Sequence, residues 1–143
     1  MDEQLYRQIV EGSPDAIIFG DAKGVIRFWN AGATAIFGYT AEEAVGKTMD
    51  IIIPERLRGR HWEGYDKVMA TGVSRYGQGD LLAVPALTKD GRTISIEFTI
   101  QMLKSPSGEI LGPVATVREV TKRFQREKDM ARRIKELEAK AGH

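Results

Sequence analysis

Residues 94–102 alternate without a break: Ile94, Ile96, Phe98, Ile100 and Met102 are apolar, while Ser95, Glu97, Thr99 and Gln101 are polar. A period of two puts all five apolar side chains on one face of a strand, so the chain must build a sheet and cover one side of it. Turn chemistry flanks the segment. Lys89-Asp90-Gly91-Arg92 precedes it as a hairpin signal, and Ser105-Pro106-Ser107-Gly108 follows it. Residues 81–87 and 110–120 therefore read as the strands before and after it, with Pro85 marking an edge or a bulge.

The N-terminal half supplies two more strands and the cover. Residues 2–11 read as a short helix with Leu5, Ile9 and Val10 on one side, stopped by Gly12-Ser13-Pro14. Residues 16–19 and 25–29 read as strands joined by Asp21-Ala22-Lys23-Gly24. A short helix ends at Gly38, and Thr40 with Glu43 forms a capping box for the next. A longer helix is predicted from Pro54 or Glu55 to about Ala70, with Thr71-Gly72 as its stop. The expected fold is α+β: a five-stranded antiparallel sheet with helices packed on one face, a short N-terminal helix and a C-terminal helix. The helical insert after the second strand must cross one sheet face and encloses a space against it.

Of the 143 residues, 42% are hydrophobic and 29% charged, enough apolar material for one core and too much for a disordered tail. The zero cysteine count excludes disulfides, iron–sulfur clusters, thiolate zinc and thioether-linked cofactors. It fits a reducing compartment. A net charge of +1 argues against nucleic acid as the partner. With no signal-like N-terminus, and no run near the roughly 18 apolar residues of a membrane span, a cytoplasmic location is expected. Charge is uneven: residues 121–143 carry 8 Lys/Arg against 4 Asp/Glu, a basic tail on an acidic body. The expected organisation is an N-terminal helical cap (1–13), a main domain (14–120) and a C-terminal amphipathic helix (121–143).

This order of elements, with Asn30-Ala31, Phe37-Gly38-Tyr39, Glu42-Glu43 and Gly46-Lys47 ahead of the central helices, resembles the PAS sensor domain. Lys89-Asp90-Gly91 resembles its late hairpin. Arg118-Glu119-Val120-Thr121 resembles its exit into a signalling helix, with Glu119 where the family usually has Asp. The resemblance covers about residues 3–121 and implies a sensory and interaction module rather than an enzyme; the ligand must be argued from the site.

His61 is one of two histidines, the other being the last residue. At about 100° per residue, Leu57, His61, Gly64, Tyr65 and Val68 share one stripe of the long helix and face the enclosed space. Gly64 removes a side chain one turn after His61, a gap open to a large flat ligand, although glycine inside a helix costs about 1 kcal/mol. The run from Ile53 to His61, with Tyr65 after it, looks like the heme-binding PAS sensors of the FixL and DOS type. That resemblance implies His61 as the axial ligand of a b-type heme, and neutral imidazole is a suitable iron ligand. The other reading is a histidine satisfied at the edge of a core.

His61 and Tyr65 lie one residue further apart than in those sensors. The strand position carrying their oxygen-stabilising Arg aligns near Leu82, with Leu81 beside it; a shift of one residue brings in Asp80 instead. Without a donor there, the resemblance implies a preference for carbon monoxide or nitric oxide. Tyr76 is a candidate contact for the propionates, or a plain loop tyrosine, and Ile96 and Ile100 line the sheet side. Trp62 is expected against a neighbouring surface or a second subunit.

Other chemistry is mostly excluded. No serine sits in a nucleophile elbow, His61-Trp62-Glu63 lacks the cysteine half of a zinc-deaminase motif, and Gly77-Gln78-Gly79 is too short to cradle phosphate. A cysteine–flavin adduct is impossible; non-covalent flavin has no positive signal. The tail is predicted to be a helix capped by Thr121, with Val120, Met130, Ile134, Leu137 and Ala141 approximating heptads. Either it is a solvated helix, or paired tails hold a homodimer and pass a signal to a protein in trans; the end at residue 143 reads as an excised domain or as signalling in trans. The rivals to heme are a cofactor-free interaction module and a sensor of a small apolar metabolite that accepts a hydrogen bond from His61.

Overall fold

The computed structural model describes residues 2–72 and 82–142. Strands β1 (Ala16–Gly20), β2 (Ile26–Trp29), β3 (Leu82–Leu87), β4 (Thr93–Lys104) and β5 (Ile110–Glu119) form one antiparallel sheet in the order β2-β1-β5-β4-β3. The predicted α+β class holds. β1 lies inside the sheet although it is first in sequence: it pairs with β2 on one side and with the central strand β5 on the other, Ile18 lying opposite both Trp29 and Ala115. Pro85 sits on β3, which is paired only to β4, the edge position its missing N–H demands.

Helix α1 (Glu3–Glu11) is capped by the Asp2 carboxylate, which accepts from the Leu5 N–H at 3.0 Å. It buries no residue, and Leu5, Tyr6 and Ile9 are exposed. Between β2 and β3 the insert runs through α2 (Ala31–Phe37), α3 (Ala41–Ala44), a 3₁₀ turn (Met49–Ile52) and α4 (Glu55–Thr71). Gly38, at φ 88°, ends α2, and the Thr40–Glu43 capping box forms as predicted. The insert is anchored at both margins of the sheet. Ile26 N–H donates to Lys47 O at 2.8 Å beside β2, while Lys89 N–H donates to Phe37 O at 2.8 Å at the β3–β4 hairpin. Val25 joins no strand; it makes a single bridge to Thr48, so β2 starts one residue later than the pattern suggests.

The core lies between the insert and the sheet's inner face. Ile18, Ile26, Ile94, Ile96 and Val117 meet Phe37, Ala33 and Ile52 there, and Phe37 is fully buried. Trp29 closes one end, its indole N–H donating to Tyr39 O at 3.0 Å while its ring packs against Phe37.

The C-terminal helix α5 (Thr121–Ala141) departs from expectation at its start. Val120 is its flanking residue and no side chain caps it. Thr121 is instead drawn toward the sheet. Its hydroxyl accepts from Ser95 N–H at 3.1 Å and donates to Glu119 at 2.8 Å, and Val120 N–H donates to Ser95 O at 2.8 Å. Arg123 pairs with Glu97 on the same strand.

Candidate functional site

Helix α4 is fastened at its start and middle by polar side-chain contacts. The Arg58 guanidinium donates to Ile53 O at 3.0 Å. Trp62 Nε1 donates to Asp50 Oδ1 at 2.7 Å, and the Tyr65 hydroxyl donates to Asp21 O in the β1–β2 turn. A Cβ on Gly24 of that turn would meet the Trp62 ring at 2.1 Å, so only glycine lets the hairpin lie this close to α4. Trp62 thus packs against a neighbouring surface of its own domain, the first of the two placements expected for it. The inward face of α4 comprises Leu57, Arg58, His61, Trp62, Tyr65, Val68 and Met69, all buried or half-buried.

Gly64 falls outside that face. It is exposed, and a Cβ there would meet nothing within 4 Å, so the gap it leaves opens to solvent and not to the sheet. Gly64→Ala is accordingly expected to stabilise the protein by about 0.5–1 kcal/mol, measured by urea unfolding. A loss of stability would show that the position is crowded.

His61 stands between the two aromatic anchors, its ring centroid 4.9 Å from Trp62 and 5.7 Å from Tyr65. Its Nδ1 is buried and has no hydrogen-bond partner among the described residues. Burial depresses the imidazole pKa, with the Asp50 carboxylate opposing, and the ring is held toward its neutral form. Burial, and then the charge of Asp21, pushes the Tyr65 phenol well above its usual value, so it stays a hydrogen-bond donor.

Asp21 organises the turn beneath. Its carboxylate accepts from Lys23 N–H at 2.9 Å, Val25 N–H at 3.0 Å and Arg27 Nε at 2.9 Å. Burial works against its ionisation, but the bonds from Val25, Arg27 and Lys23 outweigh it and hold the carboxyl below its ordinary value. A carboxylate depressed in the folded state contributes stability above its unfolded pKa and loses it as pH falls through the folded one. Asp21→Asn should therefore cost about 1 kcal/mol at neutral pH, with the difference closing in acid. Urea unfolding of both proteins at pH 7 and pH 3 checks this; an equal gap at both would refute it.

The remaining predicted residues divide. Ile96 is buried in the core, whereas Ile100 and Val68 are half-buried. Leu82 takes its place in β3 opposite Phe98, and Tyr76 and Leu81 lie outside the described residues. Along β4, Ile94 and Ile96 are covered, while Phe98, Ile100 and Met102, next on the same face, are only half-covered. α4 is long yet buries Tyr65 alone. The inner sheet face is sealed where α2 and the 3₁₀ turn lie over it and opens further along β4.

Residues 10–125 match the PAS fold family. The chain belongs to that family. A PAS domain of a Colwellia psychrerythraea protein superposes with a TM-score of 0.72 at 20% identity, covering 83% of this chain and 97% of that one. Two curated relatives are similar in sequence. A protein of Azorhizobium caulinodans is 32% identical over 87% of the chain, and the sensor protein FixL of Bradyrhizobium diazoefficiens is 30% identical over 99% of it. The chain spans 17% and 26% of the lengths of these two relatives. Among the described residues no helix is long and apolar enough to cross a membrane.

A porphyrin iron asks one thing of this PAS domain that can be tested on its residues: a neutral, uncommitted imidazole at an apolar surface. His61 fits that demand: burial holds its ring toward the neutral form, and its buried Nδ1 has no hydrogen-bond partner among the described residues. Among the described residues no group of three His, Cys, Asp or Glu side chains converges. A lone imidazole suits a metal that brings its other ligands with it, as in a macrocycle, better than a free ion.

Proposed function

We propose that this PAS domain is the sensory module of a signalling protein and takes a b-type heme on His61, responding to a diatomic gas or to redox state. The observation that carries the reading is the buried Nδ1 of His61 without a partner, on a helix that is otherwise well fastened. A polar atom buried without a partner costs about 1–3 kcal/mol, and such groups persist where they serve something besides stability. Its likeness to a sensor protein and the residues around His61 that resemble heme-binding sensors support the same choice.

Heme would supply an iron centre that changes ligation or oxidation state. Within the protein, His61 would hold that centre, Tyr65 and Val68 would flank it on α4, and Ile96 and Ile100 would border it from the sheet. Trp62 and Tyr65 fix α4 to the β1–β2 turn, and so set where the imidazole stands. Ser95 and Glu97, on either side of Ile96, hold the start of α5. Displacement of Ile96 would therefore reach the helix through its two neighbours. Ligand binding biases α5 only if the ligand prefers one of two positions of this strand. No catalytic group is assigned, and the module acts by binding.

Adding hemin to the purified protein and recording absorbance tests the reading. A sharp Soret band that saturates at one equivalent is the expected result. Its absence would leave the cofactor-free interaction module as the function.

A further inference from the structure

Helix α4 carries little of the fold's stability. Of its seventeen residues only Tyr65 is buried, and no side chain caps its first turn. The contiguous core is built by the sheet, α2, α3 and the 3₁₀ turn, and from α4 only Trp62 packs against its margin. Gly59 and Gly64 interrupt the helix on either side of His61, although glycine is the poorest helix former after proline. Gly24 is compelled by its crowded site; these two are not. Both are exposed, and a Cβ on either would meet nothing within 4 Å, so what they contribute is a weaker helix.

The helix lies over the half-covered stretch of β4. It starts beside the 3₁₀ turn, Tyr65 reaches Gly20 at the end of β1, and Gly72 at its far end lies against Ile110, the partner of Lys104 in the β4–β5 pairing. Phe98, Ile100 and Met102 fall between these limits. What ties α4 down is a few polar bonds: Arg58 to Ile53 O, Trp62 to Asp50 and Tyr65 to Asp21 O. β4 itself is paired to β5 from Ile96 to Lys104, so the sheet keeps its bonds when those of α4 are released.

We propose that α4 opens on its own, ahead of the rest of the domain, and that this opening is the route by which a ligand reaches the inner sheet face beneath it. Gly59 and Gly64 set how often it opens. Opening parts the bonds of Trp62 and Tyr65, bares Phe98, Ile100 and Met102, and leaves the core and the strand pairing intact. A ligand held from α4 binds the closed helix and draws the equilibrium toward it, so its apparent affinity carries the closed fraction as a factor. The route rests on the reading of His61 only in taking this chamber as the site; the opening itself belongs to the ligand-free chain.

Hydrogen exchange on the ligand-free full chain tests the opening. Amides of residues 60–68 should exchange at least roughly a hundredfold faster than those of β1 and β5. The double variant Gly59→Ala/Gly64→Ala should slow them by about 5–30-fold, the product of two helix substitutions. Exchange of α4 at the rate of the sheet, or indifference to the two alanines, would overturn the proposal. With no native cysteine, Ile100→Cys reports on the route: its reaction with N-ethylmaleimide should slow by the same factor when the two alanines are added. An unchanged labelling rate would show that the chamber is reached another way and would overturn the route. Failure to bind hemin alters none of these readings, so the two accounts fall separately.

Discussion

Asn30→Ala is expected to remove about 3–5 kcal/mol of folding stability, a large part of what a domain of this size holds. Asn30 is 1% exposed and every polar atom of its side chain is in use. Its Oδ1 accepts from Ile17 N–H at 2.8 Å and from Ala33 N–H at 2.9 Å. Its Nδ2 donates to Val10 O at 2.8 Å and Asp15 O at 3.0 Å, with Ser13 O at 3.5 Å. One amide thus caps α2 and ties together the end of α1, the loop before β1 and β1 itself. Alanine would strand several backbone groups where water cannot replace the lost partner, and that asymmetry sets the magnitude. Asn30→Asp should be damaging too. It keeps the two accepted bonds but turns a carboxylate oxygen toward three carbonyls. Urea unfolding reads both effects; a loss below about 1 kcal/mol for the alanine variant would show that the network is replaceable.

Asn30 also illustrates how far the sequence is legible. It was readable as part of a family-like segment, but all its partners except Ala33 lie 13 to 20 residues away, so its role as a connector was not. The alternation of residues 94–102, the capping box at Thr40 and the stop of α4 at Gly72 are local patterns, and each appears as expected. The interior place of β1, beside β5, is not local: Ala16 lies opposite Val117. Within the site, His61 and Tyr65 were found from helical spacing. Trp62 falls one residue off that stripe, and its partners, the Asp50 carboxylate and Gly24, lie far from it in sequence. Asp21 gave no signal beyond a turn residue, since Tyr65 contacts its backbone carbonyl. Gly64 lies on the predicted stripe but at its margin, where the helix faces solvent.

The second large effect concerns His61. Its ring makes no hydrogen bond among the described residues, so His61→Ala should fold normally and change stability little beyond lost packing. Its effect on ligand binding should be far greater, because loss of a metal ligand exceeds the roughly 10–100-fold cost of losing one of that ligand's supporting contacts. Tyr65→Phe gives the contrast. It removes the bond to Asp21 O and loosens α4, yet leaves the imidazole in place, and should weaken binding only modestly.

The most direct test is a hemin titration of wild type and His61→Ala followed in the Soret region. Saturable one-to-one binding by wild type, weakened by at least roughly a hundredfold in the variant, is the expected outcome. Equal affinity and an unchanged spectrum in the two proteins, or no Soret band in wild type, would contradict the assignment of His61.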